Sequence, residues 1–513
     1  MAIVSGERRR RLELRPQLPK SPNRSLQLGL RGVFAFLLLL FQVLCFRPVL
    51  LGLYDPPLPP SHSREFHIRP GAVDRFTGAL RFATISPDPD EKFPIQPFLD
   101  FHDYLETTFP LVHEHLGREL IGGGSLLFTW PGPDPASPSV ILLAHQDVVP
   151  VEEATAEGWD QPPFGGVVAD GFVWGRGAVD DKSSLVAILE AVETLLEAGF
   201  EPAHTVYLVF GHDEEIGGAG GARKVAEVLA ERGIRASFAL DEGSAIVEGV
   251  FPGVNEPVAL IGLAEKGYLS LELVAAVPGG HSPIPQPAIA IDILAKAVLS
   301  LEDSPFPSQL EGPTGMLFRS LAPRMSFGAR MVFGNLWLLD APARWILSKN
   351  PETNAAIRTT LAPTLLSSGI ADNIIPEEAR AVVNLRIIPG ETTESALNYV
   401  RAVVDDPRVS VRIAKGDQSD PTRVSAVDSD GYWRLEEAVT ETFPGTIVAP
   451  FLSLGGTDSK YFEEVAEDVY RFAPDHYDPD DGVHGVNERI GIESYLDMFR
   501  FYVHLLEGPD KQR

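Results

Sequence analysis

The apolar run Val140-Ile141-Leu142-Leu143-Ala144 ends in His145-Gln146-Asp147, and Gly175-Arg176-Gly177-Ala178-Val179-Asp180-Asp181-Lys182 lies further along the chain. A short, unbroken apolar segment suits a strand of a parallel sheet buried on both faces. The carboxyl end of such a strand is where open α/β sheets place their ligands. After Lys182, the residues Leu185, Ile188, Leu189, Val192, Leu195 and Leu196 recur at helical spacing. Asp180 and Asp181 are therefore expected in a strand-to-helix loop, at the same sheet edge as His145. An imidazole and several carboxylates converging there predict a metal site on an α/β fold.

The neighbouring runs repeat the pattern. Thr205-Val206-Tyr207-Leu208-Val209-Phe210 leads into Gly211-His212-Asp213-Glu214-Glu215, and a helix is expected over 218–233. Phe238-Ala239-Leu240 then ends in Asp241-Glu242-Gly243. From Gly267 the texture changes, and Tyr268-Leu269-Ser270-Leu271-Glu272-Leu273-Val274 alternates like a half-buried antiparallel strand. A helix over 288–301, a strand over 381–387, a helix over 393–404 and a strand over 409–413 complete a small α+β domain inserted into the first. Inside it, 305–351 is an extra apolar stretch, read either as ordinary helical packing or as a lining for an apolar substrate or membrane contact. After Ser419 the first texture returns, with a helix over 432–443, strands over 446–451 and 469–472, and a terminal helix over 491–506. Leu454-Gly455-Gly456-Thr457-Asp458 and His484-Gly485-Val486-Asn487-Glu488 are loops among these elements.

A chain of 513 residues exceeds one ordinary domain, and 44% hydrophobic content argues against disorder. The net charge of −28 excludes nucleic acid as a partner. The first 31 residues run against this balance, with eight basic residues against Glu7 and Glu13. Apolar residues 32–46 follow, Arg47 interrupts, and 48–54 continue apolar up to the Pro-rich linker 55–64. Together they reach the ~20 residues that a membrane helix needs, and Arg47 could snorkel to the headgroups. The basic flank would keep the N-terminus cytoplasmic and put the body outside, as a single-pass anchor. A cleaved signal peptide, giving a secreted protein, is the alternative. The single cysteine, Cys45, lies in this segment, so any metal in the body is held by His, Asp and Glu.

Zinc accepts imidazole nitrogen and carboxylate oxygen, and two divalent ions ~3.5–4 Å apart need a bridging ligand. His145, Asp180, Glu215, Asp241 and His484 meet that count, with Asp180 bridging. Glu214 is left free as a base, because side chains of neighbouring residues diverge. Singly, each has a plain structural reading: a hydrogen-bonded histidine, a solvated acidic turn, a helix cap at Asp180-Asp181. No Gly-x-Ser-x-Gly is present, which disfavours a serine hydrolase.

His145-x-Asp147, the segment Gly175 to Lys182, Asp213-Glu214-Glu215, Asp241-Glu242-Gly243, Gly279-Gly280-His281-Ser282 and His484-Gly485-x-Asn487-Glu488 resemble, in order, the motifs of the M20 metallopeptidases. The resemblance spans roughly residues 65–507. Pro162-Pro163-Phe164-Gly165-Gly166, Asn350-Pro351-x-Thr353-Asn354-Ala355 and Ile357-Arg358-Thr359-Thr360 are similar to the branch of carboxypeptidase S and the N-fatty-acyl-amino-acid synthase/hydrolases.

The resemblance implies a mixed-sheet di-zinc exopeptidase core (65–266 and 419–513) with an inserted, ferredoxin-like lid and dimerisation domain (267–418). It implies two Zn2+ per subunit: one on His145, Asp180 and Asp241, with adjacent Glu242 an alternative source of that oxygen, the other on Asp180, Glu215 and His484. Glu214 would be the general base, and Asp147 would orient His145. His281 would polarise the scissile carbonyl, often across a homodimer interface. Arg386 and Asn373, with Gly455, Gly456 and Thr457, would hold a substrate carboxylate. The expected activity is hydrolysis of N-acyl amino acids, fatty-acyl ones foremost, with a reversible synthase direction. A carboxypeptidase acting on short peptides and a non-catalytic binding protein on the same scaffold are the rivals.

Overall fold

The computed structural model describes residues 33–40, 42–44, 68–87, 92–152, 156–284, 286–416 and 418–508. The chain divides into two compact units, Met1–Tyr54 and Asp55–Arg513. In the first, residues 33–40 and 42–44 are helical, with Val33, Phe34, Phe36 and Leu37 exposed. Among the described residues no helix is long and apolar enough to cross a membrane. The rest of the expected anchor or signal segment, and the linker 55–64, lie outside the described residues.

In the second unit the strands predicted around His145, Phe210, Leu240, Phe451 and Phe472 join three that were not predicted, Gly117–Ile121, Ser125–Trp130 and Val258–Glu265, in one large sheet. Its members are β1 (Gly117–Ile121), β2 (Ser125–Trp130), β3 (Ser139–His145), β4 (Val206–Gly211), β5 (Ala236–Asp241), β6 (Val258–Glu265), β11 (Ile447–Ser453) and β12 (Ala466–Arg471), with the short strand Ile246–Val247 paired to β6. The order is β1-β2-β4-β3-β5-β12-β6-β11. β3, β4, β5 and β12 run parallel, and β1 and β2 close one side antiparallel. Every residue of β3 and β4 is buried, as their unbroken apolar runs require.

Helices cover both faces. On one, α3 (Lys182–Glu197), α10 (Asp430–Thr442) and α11 (Ile492–Glu507) pack through Leu185, Leu189, Leu435 and Phe499. On the other, α4 (Ala222–Glu231) packs through Val225 and Leu229. α1 (Ala72–Ala79) and α2 (Ile95–Thr108) precede the sheet in the chain.

A second sheet has four antiparallel strands in the order β8-β9-β7-β10: β7 (Gly267–Ala276), β8 (Thr360–Ser368), β9 (Glu378–Ile387) and β10 (Val409–Ile413). With α5 (Ala290–Asp303) after β7 and α9 (Thr393–Val404) after β9, this is the ferredoxin-like order. The strand β8 is one more than the sequence pattern implies. Leu269, Leu271 and Leu273 bury one face of β7 against Ile293, Ala297 and Val400. The opposite face carries Tyr268 and Arg386, which are register partners.

The apolar stretch inside this region forms α6 (Gly312–Leu321), α7 (Phe327–Phe333) and α8 (Leu336–Leu347). Its buried side, Leu317, Phe318, Leu321, Ala343 and Leu347, packs with Val258, Leu260 and Ala449 of β6 and β11. The insert is thus fastened to the edge of the large sheet, and helical packing accounts for half of its apolar residues.

Candidate metal centre

Three parallel strands end side by side, and their carboxyl ends supply the first groups. His145 closes β3 opposite Gly211 of β4, and Glu214 and Glu215 follow β4 in a short helical turn. The Nδ1 of His145 lies 3.0 Å from the backbone oxygen of Asp147 and 3.4 Å from its carboxylate. That leaves Nε2 facing Asp180 Oδ1 at 2.7 Å and Glu242 Oε1 at 3.5 Å. The other oxygen of Asp180, Oδ2, lies 3.0 Å from His484 Nε2, which is also 3.2 Å from Glu215 Oε2. One carboxylate therefore presents one oxygen to each imidazole.

The donors fall into two groups, His145–Asp180–Glu242 and Asp180–Glu215–His484, the atoms of each within 4.8 Å of one another. Asp241 belongs to neither, so the expectation that it supplies the oxygen is corrected in favour of Glu242. Successive strand residues face opposite ways, and Asp241 turns instead into the buried side occupied by Thr457 and Glu265. Burial and the Glu265 charge push its carboxyl up to about 6.

The electrostatics suit two cations. Glu242 is pushed up to about 8 by burial and by Asp180, and burial raises Glu214 well above the carboxylate range. The Asp180 carboxyl is lowered, because hydrogen bonds from both imidazoles outweigh its burial. Hydrogen bonds to Asp180 and Glu215 raise His484 to about 10. Glu215 Oε1 is buried with no hydrogen-bond partner among the described residues. Imidazole and carboxylate donors with an orphaned oxygen match the preference of zinc for nitrogen and oxygen ligands.

Two buried carboxylates hold the frame. Asp147 accepts from Ser86 Oγ at 2.5 Å and from the backbone N–H groups of Glu214 and Glu215 at 3.1 and 3.0 Å. It therefore positions the acidic turn as well as His145. Glu488, whose role the sequence left unassigned, accepts from Arg176 Nη1 at 2.5 Å and from the backbone N–H groups of Gly177, Val179 and Asp180 at 3.1, 2.9 and 3.3 Å. The short strand Arg489–Gly491 pairs with Phe172–Trp174 and so draws His484 towards Asp180. A motif carrying both His484 and Glu488 was the available signal for this role.

A cavity of about 580 Å³ is lined by Glu214, Glu215, Tyr268, Arg386, Gly456 and Lys460. The Arg386 guanidinium lies 4.8 Å from the Tyr268 ring centre and has no ion pair among the described residues. Lys266, also at the cavity, donates to Ala355 O, Arg358 O and Thr360 Oγ1 at 3.0, 2.9 and 3.2 Å, and burial and Arg386 push it down to about 7. Thr457 faces inward, giving its N–H and hydroxyl to Glu265 Oε1 at 3.0 and 2.6 Å. His281 and Asn373 sit away from this lining. His281 belongs to the two-stranded pair Gly280–His281 and Ile374–Ile375 and Asn373 precedes it, and Ser282 N–H donates to Asn373 O at 3.4 Å.

Comparison with known proteins gives a consistent picture. The model of "Peptidase family M20/M25/M40" matches residues 141–508. An N-fatty-acyl-amino acid synthase/hydrolase of Danio rerio is 40% identical over 445 residues, 85% of each chain. Carboxypeptidase S of Saccharomyces cerevisiae is 31% identical over 484 residues, covering 84% of this chain and 83% of its own. Among solved structures, an M20 family metallo-carboxypeptidase of Sulfolobus solfataricus superposes with a TM-score of 0.62 at 18% identity, over 86% of this chain and 99% of the other.

Proposed function

The chain belongs to peptidase family M20/M25/M40, and from that premise we propose that it hydrolyses the amide bond of N-acyl amino acids bearing a free carboxylate, with long acyl chains preferred. The observation that carries the reading is Glu214, next to Glu215 of the donor cluster, lining a cavity where Arg386 has no ion pair among the described residues. The relative named an N-fatty-acyl-amino acid synthase/hydrolase supports the acyl preference.

His145, Asp180 and Glu242 would hold one zinc ion, and Asp180, Glu215 and His484 the other. Such a pair supplies Lewis acidity and a water of lowered pKa. Glu214 takes the proton of the attacking water and returns it to the departing nitrogen, a task suited to a carboxyl held above its usual range. Arg386 grips the substrate carboxylate with its guanidinium fork. Asp147 and Glu488 keep the ligands in place. By reversibility the same groups join a free acid to an amino acid, and concentrations decide the direction.

Residues 267–418 would act as a lid. His281 and Asn373 lie off the cavity of their own chain, so we assign them to the cavity of a second copy in a homodimer. Leu365, Leu366 and Ile370, exposed along and beyond edge strand β8, favour that contact. The body is assigned outside the cytoplasm, secreted or tethered by the N-terminal segment. Glu214→Gln should retain both metal ions and lose ~10²–10⁴-fold in turnover, and wild-type turnover would end the mechanism. The alternative, a carboxypeptidase, uses the same centre, and carboxypeptidase S favours it. An oleoyl-amino acid assayed beside a dipeptide separates the two.

A further inference from the structure

The face of the helical insert turned away from the sheet is apolar where a surface helix carries polar groups. Along α8, which kinks at Leu339, Trp337 and Leu338 before the kink and Ala341, Pro342, Trp345 and Ile346 after it are exposed. Phe327 of α7 is exposed as well. Trp337 and Trp345 leave 59% and 65% of their surface in solvent. Buried Ala343 and Leu347 take the opposite side of α8, so the sheet already has its packing partner and the exposed residues are surplus to it. A continuous apolar patch of this kind marks an interaction surface.

Charge points to the partner. Residues 312–349 hold Arg319, Arg324, Arg330, Arg344 and Lys349 against the single carboxylate Asp340, and after Arg344 pairs with Asp340 and Arg324 with Glu256 a basic excess remains in a chain of net charge −28. Arg319 and Lys349 are exposed, and the Lys349 ammonium lies at the patch itself, 4.3 Å from the Trp345 ring centre. Tryptophans with neighbouring cations on a short helix are the composition of an element that lies in the headgroup layer of a bilayer. At 12 residues α8 is far too short to span it.

We propose that α7 and α8 form a docking face for an anionic lipid surface, with Trp337, Trp345 and Ile346 entering the headgroup–acyl boundary and Lys349 and Arg319 pairing with lipid phosphates and carboxylates. The face does not depend on the chemistry of the metal centre.

The chain's single cysteine makes the test site-specific. In full-length protein carrying Cys45→Ser, Trp337→Cys or Ile346→Cys is labelled with a polarity-sensitive fluorophore and mixed with phosphatidylcholine vesicles, with or without phosphatidylserine. Both labels should gain emission several-fold and shift to the blue, at lower lipid concentration when phosphatidylserine is present. A label at Trp433→Cys, exposed on α10, should not respond. Lys349→Glu should weaken the response to phosphatidylserine vesicles several-fold and leave that to phosphatidylcholine unchanged. Vesicle binding with silent labels at both 337 and 346 would assign attachment elsewhere and overturn the proposal. So would absence of vesicle binding, or a blue-shifted signal without lipid that falls on dilution, which would mean that a second copy covers the face.

Discussion

Asp180 divides its two oxygens between two imidazoles, and this makes the donor set testable one residue at a time. Glu242→Ala should cost one metal ion per chain, read by elemental analysis, whereas Asp241→Asn should keep both. The reverse result would return Asp241 to the ligand set. The sequence made the cluster legible because each donor closes or follows an apolar run, but not the choice between Asp241 and Glu242. A strand buried on both faces, as Phe238-Ala239-Leu240 is, has no polar alternation to show which way its last residue points.

Asp475 offers a test away from the metal. Burial and the neighbouring Asp481 push its carboxyl up to about 7. The folded protein thus holds a proton that the unfolded chain releases near pH 4. Stability from this group is complete below about pH 4 and lost as pH rises to about 7. Asp475→Asn should be more stable than wild type at pH 8, by at most about 4 kcal/mol, with the gap in melting temperature closing by pH 4.

At the scale of elements, most helices and strands were legible from periodicity, and α9 and β10 occupy the expected residues. Edge strand β8 was not. Pro363 interrupts it, a register shift follows between Pro363 and Leu365, and its later residues are all exposed, so no buried alternation marks it. β6 was missed for a different reason: Val258 to Glu265 is wholly buried, and a short apolar run between loops does not declare its type. The insert helices were visible only as apolar content, and the surface they pack on is set by tertiary contact. Phe318 stacks on Phe333 with ring centres 4.3 Å apart, within the insert and in the same apolar cluster as Val258, Leu260 and Ala449 of the sheet edge. Phe318→Ala should lower the denaturant midpoint by an amount equivalent to ~3–5 kcal/mol, with metal content unchanged.

For the molecule as a whole, a dimer is the feature the activity would depend on if His281 serves a neighbour. Leu366→Glu with Ile370→Glu places charge on the exposed edge of β8. Light scattering should then report a monomer, with turnover falling while both metal ions remain. A dimer with full turnover would send the contact elsewhere. The strands β3, β4 and β5 were readable because each is an unbroken apolar run closed by polar residues, whereas an association between copies leaves no periodic trace in one chain.

Glu488 and the pairing of Arg489–Gly491 with Phe172–Trp174 close the centre from the far end of the polypeptide. During synthesis on the ribosome, the strands that end at His145, Gly211 and Asp241 emerge long before His484 does. If Asp180, Glu215 and His484 hold a cation, that group lacks a donor until His484 has emerged, so metal uptake there follows the folding of the strands that precede it.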